Sequence, residues 1–198
     1  MSRTRDAGSK IFVISGPSGS GKTTLLSRLM RHGGLRPFLL KSVSLTTRPK
    51  RSKEREGRDY SFVSADKFSR LLKRKKILEY TRYLGYYYGT PISILSRAEA
   101  ESKNLLLCLD LKGALSIKRL YPQRTVTVFV EPPSVDELRC RIRKRCSRTS
   151  GSEVNRRLDL ARREMAQAGG YDYRVLNKDL NGAASRLKEI ILKEIRNG

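Results

Sequence analysis

Short apolar runs and amphipathic stretches alternate along the chain, and their order predicts a sheet with helices on both faces. The first apolar run, Ile11 to Ile14, is long enough for a buried strand. A glycine-rich loop follows it, and apolar residues at helical spacing then predict a helix from Lys22 to Arg31. The pattern therefore predicts an α/β fold of three layers with a mainly parallel central sheet.

The remaining elements follow the same alternation. Further buried strands are predicted at 38–45, 104–109, 125–130 and 173–176. Further helices are predicted at 64–72, 91–102, 114–121, from 134 onward, 153–168 and 183–195. Residues 77–88 are rich in tyrosine and are interrupted by Gly85, which predicts a β-hairpin. This hairpin and the polar loop 46–59 form an insertion in the regular alternation.

Residues 16–23 read GPSGSGKT, the spacing of a phosphate-binding loop. Glycines let successive backbone N–H groups turn toward one anion, and the following helix adds the positive end of its dipole. In such loops the lysine, here Lys22, reaches the outer phosphates, and the hydroxyl of Thr23 ligates Mg²⁺. A nucleoside triphosphate is the predicted ligand, and the alternative is a surface loop that matches by chance. The residues expected to bind it are Gly16, Pro17, Ser18, Gly19, Ser20, Gly21, Lys22, Thr23 and Thr24.

The net charge of the chain is compatible with more than one class of ligand. Lys and Arg number 43 against 19 Asp and Glu, a formal net charge of +24. Such a field attracts polyanions and steers anionic ligands, so it suits a nucleic-acid-binding protein or a nucleotide enzyme equally.

Other features exclude several classes of function. His32 is the only histidine, so no catalytic or metal site built on histidines is expected. The apolar runs are short and flanked by charge, and the first ten residues are polar, so no membrane span or secretory signal is expected. A cytoplasmic protein is expected.

Two further clusters suggest what happens to the bound phosphate. Residues 44–90 carry arginines, tyrosines and the acid Glu79, and residues 139–163 are rich in arginine. Phosphoryl transfer requires two positioned nucleotides and a neutralised phosphate, which arginine forks provide. A carboxylate such as Glu79 suits the adjacent N1–H and N2–H₂ donors of guanine, which adenine lacks.

In combination these segments resemble guanylate kinases. Residues 44–63 read SLTTRPKRSKEREGRDYSFV, residues 79–90 read EYTRYLGYYYGT, and residues 107–113 read LCLDLKG. The turn EPPS at 131–134 and the stretch NRRL at 155–158 match as well. The resemblance spans about residues 10–195, nearly the whole chain.

The resemblance implies transfer of the terminal phosphate of ATP to GMP, and to dGMP, with Mg²⁺, as in purine nucleotide metabolism. It implies a P-loop kinase fold in one guanylate-kinase-like domain, 1–198. The core would comprise about 10–43, 91–138 and 164–198, the GMP-binding insertion about 44–90 and the helical lid about 139–163.

The resemblance also assigns roles to individual residues. Guanine would be held by Ser44, Glu79, Thr90 and Asp110. The GMP phosphate would be held by Arg48, Arg51, Tyr60 and Tyr88, with Glu54 orienting the arginines. Asn177 would lie near the adenine, and Thr23 would ligate Mg²⁺. The catalytic set would be Lys22, Arg48, Arg145 and Arg157.

The chain departs from the family at Cys108, where aspartate is usual, and at Lys112, where glutamine is usual. Two other functions remain open from the sequence. One is a guanylate-kinase-like binding module whose GMP site takes phosphorylated peptides. The other is a basic nucleic-acid-binding protein. The sequence leaves monomer and homo-oligomer equally open.

Overall fold

The computed structural model describes residues 9–31, 34–52, 54–145 and 151–197, apart from the side chain of Arg145. His32 lies outside these residues, and so does the side chain of Arg145 in the predicted catalytic set.

The strands and helices alternate in the predicted manner. In chain order the strands are β1 (Ile11–Ser15), β2 (Leu39–Lys41), β3 (Leu45–Thr46), β4 (Ser61–Phe62), β5 (Ile77–Tyr83), β6 (Tyr86–Pro91), β7 (Asn104–Cys108), β8 (Thr125–Glu131) and β9 (Tyr173–Leu176). The helices are α1 (Lys22–Arg31), α2 (Ala65–Lys73), α3 (Ser93–Ala100), α4 (Leu111–Leu120), α5 (Val135–Arg145), α6 (Gly151–Ala166) and α7 (Leu180–Arg196).

The central sheet has the order β2-β7-β1-β8-β9, and each of its strand pairs is parallel. β1 lies in the middle, where Ile14 is in register with Cys108 on one side and Val128 on the other. Parallel strands bring their carboxyl ends to one edge, the usual place for ligands in open α/β sheets. The loops after β1, β7, β8 and β9 therefore share that edge.

Alternate residues of β1 belong to different layers of the core. Phe12 and Ile14 pack with α1 and α7, whereas Ile11 and Val13 pack with α3 and α4. All four side chains are fully buried. A strand buried on both faces needs a continuous apolar run, which explains why IFVI is uniformly apolar. The predicted three-layer α/β fold is confirmed.

A second sheet, with the order β4-β3-β6-β5, comes from residues within the predicted insertion. It is mixed, since β3 pairs in parallel with β4 and antiparallel with β6. The predicted hairpin is its β5–β6 pair, which turns at Leu84 and Gly85. Phe68 of α2 covers this sheet and stacks on Tyr87 with ring centroids 5.3 Å apart.

The helices predicted at 114–121 and 183–195 begin earlier, at Leu111 and Leu180. Two further differences lie where the chain enters and leaves the second sheet. The strand predicted at 38–45 is two strands in two sheets, because residues 42–44 carry the chain from β2 of the central sheet to β3 of the second. The helix predicted to open at Pro91 begins at Ser93. Pro91 instead ends β6 opposite Ile77, since the hairpin pairing extends that far.

The arginine-rich helices α5 and α6 pack on each other. Their contact has a small core of its own, made by Leu138, Ile142, Val154, Leu158 and Ala161. This core fixes the direction of the side chains that the two helices present to the sheet edge. Among the described residues, no helix has the length and apolar character needed to cross a bilayer.

Replacing Leu26 by alanine is expected to lower the free energy of unfolding by about 2–5 kcal/mol, because a fully buried leucine is lost from the α1–α7 layer. Urea unfolding monitored by circular dichroism measures the change. Leu115→Ala is the control, since Leu115 is 49% exposed on α4. That variant should stay within about 0.5 kcal/mol of the parent protein. Equal losses in the two variants would contradict the described packing.

Candidate active site

A cleft of about 640 Å³ opens at the carboxyl edge of the central sheet, between the phosphate loop, the second sheet and α6. It is lined on the donor side by Thr24 and by every residue of 16–23 except Pro17 and Ser20. The second sheet and its loop contribute Ser44, Arg48, Arg51, Tyr60, Glu79 and Tyr88. Asp110, Arg157 and Asn177 line the cleft between these two groups. Segments far apart in sequence thus share one cavity.

The other predicted site residues lie behind this lining. Pro17 and Ser20 belong to the loop backbone, Glu54 holds two arginines, and Thr90 is fully buried against Glu79. The backbone of Arg145 ends α5, and its side chain lies outside the description. The ligand-binding role of each residue stays a prediction.

The phosphate loop closes around Lys22 and is braced by Asn177. The Lys22 ammonium donates hydrogen bonds to the carbonyls of Gly16 and Pro17, the latter at 2.9 Å. Nδ2 of Asn177 donates to the Ser20 carbonyl at 2.7 Å. Gly21 has φ of 93°, and a Cβ there would stand 2.3 Å from that same Nδ2. Glycine is therefore required where Asn177 touches the loop.

Arg48 is the centre of the acceptor side. Its Nη2 donates to both carboxylate oxygens of Glu54, at 2.8 and 3.0 Å, and its Nε donates to the Tyr88 hydroxyl at 3.2 Å. Its guanidinium lies 5.4 Å from the centroid of the Tyr60 ring. Glu54 also accepts the backbone N–H of Arg51 at 2.9 Å. Glu54 thus holds both arginines in place. The two arginines line the cleft, whereas Glu54 lies behind them.

The Arg48–Glu54 pair is ionised. Burial opposes the charged form of each group, yet the hydrogen bond from Arg48 lowers the pKa of the Glu54 carboxyl below its usual value. The same bond raises the pKa of Arg48 in spite of its burial. A fixed guanidinium of this kind suits a phosphate, because its geometry costs no reorganisation when the anion arrives.

Glu79 is a buried acid at the end of the cleft near α4. It is 6% exposed, and its Oε1 accepts a hydrogen bond from the Thr90 hydroxyl at 2.6 Å. Burial raises the pKa of Glu79 to about 7, and the charge of Asp110 adds to the rise, while the Thr90 hydrogen bond opposes it. Asp110 itself caps α4 by accepting the N–H of Gly113 at 2.8 Å.

Gly113 allows Glu79 to approach α4. A Cβ at this position would stand 2.8 Å from Oε2 of Glu79. Glycine is therefore needed at position 113, because any side chain there would displace Glu79 from the site.

Several residues of the cleft were missed from the sequence. Tyr83, Arg141, Glu153, Glu164 and Lys178 line it without having been predicted. Tyr83 is one of several tyrosines in the hairpin, and Arg141 is one of several basic residues in its segment, so the sequence did not distinguish either from its neighbours. Glu164 follows Arg157 by seven residues, two helical turns, and this spacing on one helix face was the available signal.

The chain is similar to known proteins of one family. A sequence model of the family described as guanylate kinase matches residues 8–194. The chain belongs to the guanylate kinase family. The resemblance inferred from the sequence is confirmed, and neither the non-catalytic binding module nor the nucleic-acid-binding protein is favoured.

Relatives named guanylate kinase match nearly the whole chain. The protein from Mycoplasma genitalium is 40% identical over 185 residues, which cover 93% of this chain and 76% of that protein. The protein from Myxococcus xanthus is 40% identical over 186 residues, covering 93% of this chain and 86% of its own.

Solved structures agree with these matches. The crystal structure of guanylate kinase from Anaplasma phagocytophilum has a TM-score of 0.78 and 32% identity, covering 94% of this chain and 86% of that chain. TT1252 from Thermus thermophilus, at 17% identity and a TM-score of 0.51, shares the fold alone.

Guanylate kinases generally use ATP with Mg²⁺, and the donor atoms of the cleft fit this ion. Among the described residues, no three His, Cys, Asp or Glu side chains form a cage for a metal. Mg²⁺ rarely needs one, because it binds through one or two protein oxygens, water and substrate phosphates. Thr23, whose hydroxyl is the predicted protein ligand of the ion, lines the cleft. Cys108, half-buried in the same lining, offers a thiol that Mg²⁺ does not favour.

Replacing Glu79 by glutamine is expected to change how stability depends on pH. The pKa of Glu79 is about 7 in the folded protein, against an ordinary value of 4.5 for a glutamate, so the folded state binds this proton more tightly. That contribution to stability is present below about pH 4.5 and is lost as the pH rises through about 7. From about pH 5 to about pH 8, the variant should gain about 2–3 kcal/mol relative to the parent.

Urea unfolding at the two pH values measures this gain. Glu99→Gln is the matched control, because Glu99 is an exposed acid on α3, and it should leave the pH dependence unchanged. An equal pH dependence in the parent and Glu79→Gln would show that Glu79 is not buried as described.

Proposed function

We propose that this chain transfers the terminal phosphate of ATP to GMP, and to dGMP, giving ADP and the guanosine diphosphate. The observation that carries the proposal is the shared cleft: a phosphate loop faces an arginine–acid site across one cavity. Both halves are needed, since phosphoryl transfer consists mainly of positioning two nucleotides and neutralising the phosphate between them.

On the donor side, the loop N–H groups and Lys22 would hold the ATP phosphates. In the present arrangement the Lys22 ammonium bonds the loop carbonyls of Gly16 and Pro17, which keeps it at the mouth of the loop. Mg²⁺ bound with ATP would neutralise phosphate charge, with the Thr23 hydroxyl as its protein ligand. Asn177, which braces the loop, would lie near the adenine.

On the acceptor side, Arg48, Arg51, Tyr60 and Tyr88 would hold the GMP phosphate. Tyr88 accepts its hydrogen bond from Nε of Arg48, so its own hydroxyl proton is available to a phosphate oxygen. Arg48 keeps its direction through Glu54, which makes the site preorganised. A phosphate oxygen of GMP is already a nucleophile, so no general base is required.

The guanine base would lie against Ser44, Glu79, Thr90 and Asp110. Ionised Glu79 can accept from N1–H and N2–H₂ of guanine, whereas adenine presents no such pair of donors. Because Thr90 already donates to Oε1, it fixes the orientation in which Glu79 meets the base. Arg157 of α6, with Arg145 at the end of α5, would close over the phosphates.

Acceptor specificity tests the proposal. ADP formation from Mg·ATP should require GMP or dGMP, with AMP and UMP much poorer acceptors. Glu79→Gln should reduce the preference for GMP over AMP by at least about tenfold, because the paired acceptor of guanine is lost. A coupled assay of ADP release measures both. ATP binding without any stimulation by GMP would overturn the proposed reaction, and unchanged selectivity in Glu79→Gln would overturn the assignment of the base site.

Arg48→Lys should lower kcat/KM for GMP about 100-fold, because lysine cannot bond Glu54, Tyr88 and a phosphate from one planar group. The KM for ATP should change less than about twofold. Arg97→Lys is the matched control: Arg97 also pairs with a glutamate, Glu101, at 2.7 Å, but on the exposed surface of α3. Initial rates with varied GMP distinguish the two, and similar losses in both variants would refute the role of Arg48.

A further inference from the structure

Helix α6 lines the cleft with Glu153, Arg157 and Glu164, and none of the roles described above uses Glu164. Glu164 lies two helical turns after Arg157, on the same face. Its side chain is 5% exposed and lines the cleft. Its Oε2 is buried and has no hydrogen-bond partner among the described residues. A buried acid of this kind calls for an explanation, since an unpartnered carboxyl is costly inside a protein.

The groups that face Glu164 come from four other parts of the chain. Lys22 faces it from the start of α1, and Asp110 from the start of α4. The hydroxyls of Tyr83, at the end of β5, and Tyr171, before β9, lie near its charge. Tyr83 also lies beside Ser18 of the phosphate loop and near Arg157. Glu164 is therefore in the middle of the cleft, where the loop, the second sheet and α6 meet.

Lys22 is the cation that attracts Glu164, and Asp110 repels it. Burial raises the pKa of the Glu164 carboxyl to about 7, against the attraction of Lys22. Burial of the Tyr171 hydroxyl, together with the charge of Glu164, raises the pKa of that hydroxyl to about 12. Lys22 thus has the loop carbonyls of Gly16 and Pro17 as hydrogen-bond partners, and the Glu164 carboxylate of α6 attracts it in the same cleft.

We propose that Glu164 is a positioning residue for the donor phosphate, and that its carboxylate orients the Lys22 ammonium between the phosphate loop and α6. The inference rests on the proposed function, because Lys22 matters to it as the group that meets the ATP phosphates. Through Glu164, the direction of Lys22 depends on α6 lying over the cleft. Helix α6 and the donor loop then act together.

A negative charge at this place has two opposite effects. It orients Lys22, which favours the phosphoryl-transfer step, but it also repels the incoming triphosphate, which disfavours binding. Removing the charge should therefore lower kcat without raising the KM for ATP. A role limited to packing predicts something else, a loss of stability with no such division between kcat and KM.

The first test is Glu164→Gln, which keeps the shape of the side chain and removes its charge. With saturating GMP, kcat should fall about tenfold, and the KM for ATP should stay equal or decrease. Asp159→Asn is the matched control, because Asp159 is 61% exposed on the same helix and pairs only with Arg162 in the described structure. It should leave both constants within about twofold. A kcat for Glu164→Gln within about twofold of the parent would overturn the proposal, and so would a raised KM for ATP.

The second test is the pH profile of kcat at saturating ATP and GMP, where the bound guanine occupies Glu79. Protonated Glu164 resembles glutamine. The ratio of the parent kcat to that of Glu164→Gln should therefore approach one near about pH 6 and rise to about tenfold near about pH 9. Titration of the nucleotides is common to both proteins and cancels in the ratio. Burial, together with the charge of Glu164, raises the pKa values of Tyr83 and Tyr171, and these lie above the pH range of the test. A ratio independent of pH would overturn the proposal.

Thermal unfolding is measured for each variant before its kinetics. Glu164→Asp keeps the charge, so its kcat should still rise with pH even if its absolute value is lower. If Glu164→Gln does not fold, this variant carries the test, and a flat profile would overturn the proposal. Failure of the proposed function is distinguished by the parent protein itself, which would then form no ADP in response to GMP.

Discussion

The parallel pairing of β1 with both β7 and β8 is the constraint on which the rest of the structure depends. It brings the phosphate loop, the Asp110 cap of α4 and the Asn177 brace to one edge of the sheet, since each follows the carboxyl end of a strand. The apolar run of β1 is what places it in the middle, because only an uncharged strand can be buried on both faces. The position of the cleft thus follows from the burial of one strand.

Within that cleft, the main physical problem is to hold cations ready for phosphates without neutralising them. Glu54 solves it for Arg48 from behind, so that the guanidinium is fixed but still faces the cavity. Asn177 solves it for the loop by bonding its backbone and not its lysine. Glu164 differs from both, because it lines the cavity itself and its charge is attracted by Lys22 across it.

The buried acids show why sequence patterns locate some groups and miss others. Glu79 stood out as an acid in an otherwise apolar and aromatic strand, and the guanylate kinase motif around it gave it a role. Glu164 lies among Arg162, Arg163 and other polar residues, where an acid reads as part of a solvated surface. Its burial arises only because the opposite elements of the fold cover that side of α6. In the same way, the single strand expected at 38–45 serves two sheets, a division that the apolar run itself does not mark.

The sequence by itself determined the α/β class, the phosphate loop, the hairpin and the family. These features depend on local patterns, namely apolar runs, glycine spacing and short motifs, which fold in much the same way wherever they occur. Only the tertiary structure decided which further groups meet: Asn177 with the Ser20 carbonyl, Gly113 with Glu79, and Glu164 with Lys22 in one cleft. These residues belong to separate elements of the fold. They come together and become buried only once the layers have packed, and this packing sets both their distances and their pKa values.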